Sequence, residues 1–178
     1  MTELYTTENT ISMGKGLSMT FLRNEPYLAR VHITADAELL QVPPHWHEQH
    51  DEIFRVLRGQ MKYTIGSITR IYVPEDGVIH IPKGVVHAIS SVQGIETIFE
   101  EKTSPMDDEK ELFFRNLFAP GVRLDNLLQI FPVFYHGDAI PSLPGGFKWL
   151  DKMFAFLVGN YLSPLFGYRR TWVTLKKV

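Results

Sequence analysis

Between residues 17 and 102 the apolar positions fall into short runs of β-branched and aromatic residues, at 19–22, 27–33, 53–57, 61–65, 68–73, 78–81 and 95–99. Turn formers stand between them at Asn24-Glu25-Pro26, Arg58-Gly59, Ile65-Gly66-Ser67, Pro74-Glu75-Asp76-Gly77 and Gln93-Gly94. Short strands at such regular spacing predict an antiparallel sandwich or barrel rather than alternating βα units.

After Lys102 the period changes. Asp107 or Asp108 can cap a helix in which Leu112, Phe113, Leu117 and Phe118 recur, and Pro120-Gly121 ends it. A second short helix is expected over 124–131 and a loop over 141–146. From Phe147 onward Leu150, Phe154, Leu157 and Tyr161 mark one face of a third helix, stopped near Ser163-Pro164. The expected architecture is one mainly β domain over 1–178, with a barrel at 17–102 and a helical extension at 106–178 packed on it. The aromatic residues Phe147, Trp149, Phe154, Phe156, Tyr161 and Phe166 read as core or subunit interface, or as a lid if a helix crosses the barrel mouth.

A length of 178 residues suits one domain with a sizeable core. Eighteen Lys and Arg against 20 Asp and Glu leave no basic excess, so nucleic acid is a poor candidate partner. The absence of cysteine excludes disulfides, thiolate ligands and a cysteine nucleophile, leaving His and carboxylates to bind any metal. The first twelve residues are polar and carry acids, which predicts no signal peptide and a cytoplasmic location. The apolar stretch 153–166 is interrupted by Gly159, Asn160 and Pro164 and falls short of the ~20 residues that a membrane span requires.

His45-Trp46-His47 has the period of two that puts both imidazoles on one face of a strand. Glu52 follows at the head of a strand closing at Gly59, where a carboxylate adds a third donor and offsets part of a metal's charge. His87, on a distant strand, supplies the fourth. A lone pair of strand histidines is more often structural than a ligand pair, so the additional residues at matching spacing carry the case.

The stretch His45-X-His47-X4-Glu52-X6-Gly59 resembles the first cupin motif, and Pro82-X-Gly84-X2-His87 resembles the second. The resemblance spans about residues 30 to 102. It implies a β-barrel in which His45, His47, Glu52 and His87 hold one divalent ion, with iron, manganese, nickel and zinc all compatible. Three features depart from the usual pattern: Leu39 and Ser91 replace a glycine and an asparagine, and Asp76-Gly77 inverts a Gly-Asp. None of them is a ligand in the family.

Similarity to stand-alone cupins of microbial specialised metabolism implies an oxidoreductase, of dioxygenase type, acting on a largely apolar oxygenated small molecule such as a phenolic or polyketide. Two alternatives stay open: a metal Lewis acid serving an isomerase, cyclase or dehydratase, and a non-catalytic ligand-binding module. Glu52 and His80 are candidates to move protons, although His80 can equally face outward. Phe54, in phase with Glu52, and Tyr63, on the return strand, are candidates to line the substrate site, or else ordinary core. His50 reads as a solvated loop residue, and His32 and His136 have no motif context. The family's habit of pairing through sheet edges implies a homodimer.

Overall fold

Alternation of buried and open positions runs through the strands Leu17–Phe21, Ala29–Ile33, Asp51–Arg58 and Val78–Ile81 of the computed structural model, which describes residues 9–171. Two units are present, a β unit ending at Met106 and a helical unit starting at Asp107. The β unit contains β1 (Thr10–Gly14), β2 (Leu17–Phe21), β3 (Ala29–Ile33), β4 (Gln41–Trp46) and β5 (Asp51–Arg58). It continues with β6 (Met61–Ile65), β7 (Ile68–Tyr72), β8 (Val78–Ile81), β9 (His87–Ser91) and β10 (Thr97–Ser104). One antiparallel sheet has the order β1-β2-β3-β10-β5-β8, and within this unit the other has the order β4-β9-β6-β7. The mainly β class expected of the chain is present, built as two sheets.

The period of two decides which residues meet between the sheets. On β5, Glu52, Phe54 and Val56 are buried, while Asp51, Ile53 and Arg55 on the opposite face keep contact with water. Ile79 and Ile81 of β8, Phe99 of β10 and Tyr63 of β6 are likewise buried. The Phe54 and Tyr63 rings, one from each sheet, meet at 5.3 Å, so the core lies between the two inner faces.

Gly59 closes the β5–β6 turn at φ 77°. A Cβ there would run into the Glu96 carbonyl oxygen and Thr97 Cα, backbone atoms that cannot yield without moving the start of β10. Gly59→Ala is therefore expected to cost at least ~2 kcal/mol, combining left-handed strain with backbone crowding. Urea denaturation reads the loss directly.

The helical unit contains α1 (Asp108–Leu117), α2 (Leu127–His136), α3 (Lys148–Leu157), a π turn (Val158–Leu162) and α4 (Ser163–Leu165). Asp107 caps α1 by accepting a hydrogen bond from Glu109 N at 3.0 Å. α2 begins later than the expected 124–131 and runs on through Pro132, forgoing one ladder hydrogen bond. Phe113 of α1 meets Phe134 of α2 at 6.1 Å, and Phe131 meets Phe154 of α3 at 5.3 Å.

The last helix removes one of the expected alternatives. Phe147, Trp149, Phe154, Phe156, Tyr161 and Phe166 are all exposed, not core, and the residues turned inward are Asp151, Ala155, Val158, Gly159 and Ser163. Helical period identifies two unlike faces, but it does not say which one meets solvent. The helical path also passes the expected stop at Pro164, which is accommodated in the first turn of α4.

Candidate metal centre

Pro43 and Pro44 lie inside β4 and cannot donate to the ladder with β9, whose register shifts between Val42 and His45. Pairing resumes with His45 directly opposite His87. His47 follows just past the strand's end, and Glu52, the second residue of β5, projects inward. A second link comes from the turn at Gly84, φ 79°, whose N–H donates to the His47 carbonyl at 2.7 Å. Two segments almost forty residues apart are thereby tied together backbone to backbone.

The imidazoles and the carboxylate converge. Ring centroids are separated by 5.0 Å for His45 and His47, 4.2 Å for His45 and His87, and 5.3 Å for His47 and His87. Glu52 Oε1 is 3.1 Å from His47 Nε2, and Glu52 Oε2 is 3.0 Å from His87 Nε2. One potential donor atom from each of the four residues lies within 4.8 Å of all the others. His47, Glu52 and His87 are buried; His45 is partly open as a whole residue, but its place in the group is buried.

This donor set suits a divalent cation. His45 Nδ1 donates to the Pro43 carbonyl at 2.9 Å and His87 Nδ1 donates to the Val85 carbonyl at 3.0 Å. Each bond places the proton on Nδ1 and turns the Nε2 lone pair toward the cluster, which is the way that metal-binding imidazoles are oriented by their outer partners. Burial, followed by the neighbouring His87, pushes His45 down to about 3, so its ring is neutral at physiological pH. A buried carboxylate facing imidazole nitrogens at hydrogen-bond distance is a site that a cation satisfies.

Residues 31–94 match the family model described as the cupin domain. The β unit contains a cupin domain. Among curated proteins, the chain is 28% identical over 146 residues to the probable oxidoreductase yanE of Aspergillus niger, covering 71% of this chain and 55% of that one. It is 27% identical over 143 residues to the probable oxidoreductase patJ of Penicillium expansum, covering 71% and 43%. The chain thus spans about half the length of the curated relatives that it matches. Among solved structures, KdgF from Halomonas sp. is 18% identical with a TM-score of 0.45, covering 61% of this chain and 98% of that one. The polyketide cyclase RemF from Streptomyces resistomycificus is 21% identical with a TM-score of 0.40, covering 57% and 77%.

His80 of the cupin unit is placed outward. It pairs with Ile53, whereas the neighbouring Ile81 pairs with Glu52, so His80 and Glu52 lie on opposite faces of the sheet. Its Nε2 meets Asp51 Oδ2 at 2.8 Å, while Asp51 Oδ1 accepts from Lys83 N at 2.9 Å. The Lys83 backbone N–H, followed by His80, holds the Asp51 carboxyl below the usual carboxylate range. Asp51 is the positioning residue that sequence reading passed over: it ties the turn before His87 to the strand that carries Glu52. Its only sequence signal is its place next to Glu52. The His50 ring stacks on His47 with centroids 4.4 Å apart.

Phe54 and Tyr63 sit on the inner faces of the cupin unit, each almost wholly buried. Tyr63 also meets Tyr72 edge-on at 5.5 Å, and its hydroxyl has no hydrogen-bond partner among the described residues. Burial, then Glu101 and Glu52, pushes this phenol well above its ordinary range, so it stays protonated. Tyr63→Phe removes a polar atom that the fold leaves unsatisfied, so stability should hold or rise by up to ~1 kcal/mol. A fall in the melting midpoint would instead show that the hydroxyl is bonded within the fold.

Proposed function

We propose that the cupin unit holds one divalent metal ion through His45, His47, Glu52 and His87, and that the chain is an oxidoreductase of dioxygenase type. The observation that carries this reading is the convergence of three imidazoles and one carboxylate at a buried point. The names of the relatives, probable oxidoreductases, agree with it. The substrate is a largely apolar oxygenated small molecule, phenolic or polyketide-like. Support comes from the character of the inner face, where Phe54, Phe99 and Ile81 supply apolar wall and Tyr63 supplies one un-ionised hydroxyl.

A bound ion supplies an electrophilic centre for a substrate oxygen and, if redox-active, electron transfer with dioxygen. The protein's own part is positional. His45 and His87 are held by the Pro43 and Val85 carbonyls, Glu52 is set to accept a proton from the substrate, and Tyr63 donates a hydrogen bond to a substrate oxygen. The outward placement of His80 gives it a role in holding Asp51 rather than in moving protons. Copies of the chain pair through β1, which lies at the edge of the larger sheet.

Turnover of phenolic substrates with and without oxygen tests the oxidative reading, together with elemental analysis of the purified protein. Strict dependence on oxygen and a redox-active metal is expected. Undiminished anaerobic turnover sustained by zinc would assign the site to isomerisation, cyclisation or dehydration instead.

A further inference from the structure

The surface of the last helical segment is inverted relative to an ordinary amphipathic helix. Ten large apolar side chains between Phe147 and Phe166 are exposed, with Trp149 at 65%, Tyr161 at 59%, Phe166 at 64% and Leu165 at 82%. Small and polar residues fill the inner side, and Asp151 is turned in to accept a hydrogen bond from Leu143 N at 2.9 Å. The π turn at Val158–Leu162 keeps this arrangement in phase. Each residue of the wider turn advances less than the ~100° of an α-helix, so Tyr161 and Leu165 stay on the side of Trp149 and Met153 instead of rotating inward.

Charge narrows the choice of occupant. Asp151 is the one acid between residues 147 and 171, and it is buried, whereas Lys148, Lys152 and Arg169 are exposed at the margins. Two copies meeting on this face would bring cations against cations with no exposed acid from the same segment to offset them. An anionic lipid surface offers the complementary charge and an apolar layer for the rings, and Trp and Tyr favour that boundary. No helix among the described residues is long and apolar enough to cross a membrane, so the contact lies in the plane of the surface.

We propose that the exposed face from Phe147 to Phe166 docks the protein onto anionic membrane surfaces. The test is co-sedimentation of the full chain with phosphatidylcholine vesicles, with and without about one-third phosphatidylserine. Strong binding to the anionic vesicles, weakened by salt and lower on neutral ones, is expected. Trp149→Ser combined with Leu165→Ser and Phe166→Ser should reduce binding more than ~10-fold. Lys152→Glu with Arg169→Glu, which leaves every apolar residue in place, should remove the preference for phosphatidylserine. Absence of wild-type binding to the anionic vesicles overturns the proposal. So does a wild-type dimer in light scattering that the triple serine variant dissociates, since the face would then join two copies.

Discussion

His87→Ala is expected to abolish stoichiometric divalent metal binding while leaving a folded β unit. Removing a hydrogen-bond partner of a metal ligand costs about 10–100-fold in affinity, and loss of the ligand itself should exceed ~100-fold. His87 is buried opposite His45 in the ladder and faces Glu52 at 3.0 Å, so its loss removes a donor from the centre of the group. A ligand that binds only the folded state raises the melting midpoint, and that rise is the readout. Adding metal should stabilise the wild-type protein and leave His87→Ala unmoved. His80→Ala, altered on the outer face of the same unit, should keep the metal-induced shift. An equal shift in all three proteins would sink the proposed ligand set.

The four proposed ligands were legible because strand period and motif spacing both act locally. His45 and His47 share a face by alternation, and Glu52 begins a strand whose end Gly59 marks. β4 itself was harder to read, since Pro43-Pro44 looks like a break and becomes tolerable only through the register shift beside β9. β9 is short and rich in small polar residues, so its strand character comes from pairing on both sides rather than from propensity. Asp51 works through the backbone N–H of Lys83, an atom that every residue type but proline carries and that therefore leaves no trace in the sequence.

The tail illustrates a different limit. Its periodicity was visible, but orientation depends on what lies on each side, and here Asp151 and Ala155 face inward while Trp149 and Met153 face out. Glu100 is a similar case within the sheet. Alternation along β10 places Thr97, Phe99 and Thr103 on the inner face, and Glu100 belongs to the other one, yet it is completely buried. Its cover comes from Arg30 and Arg55, which stand directly across from it on β3 and β5. Neither partner can be identified until strand order is known.

That carboxylate sets the largest stability effect expected in the β unit. Arg30 Nε and Nη2 donate to Glu100 Oε1 at 2.9 and 2.6 Å, and Arg55 donates through Nε to Oε2 at 2.7 Å, with Nη2 2.6 Å from the same oxygen. Both arginines are partly exposed and can recover hydration when freed, whereas Glu100 cannot. Arg30→Met or Arg55→Met alone leaves one guanidinium on the carboxylate and should cost ~1.5 kcal/mol, the low end for a hydrogen bond to a charge. The double variant strands a buried charge and should cost ~3–5 kcal/mol. Adding Glu100→Met to the pair removes the charge itself, so the triple variant should regain most of that loss, because apolar replacement of a whole buried ion cluster is often neutral. Urea denaturation of the four proteins separates this from simple loss of packing, which would make the triple variant the least stable.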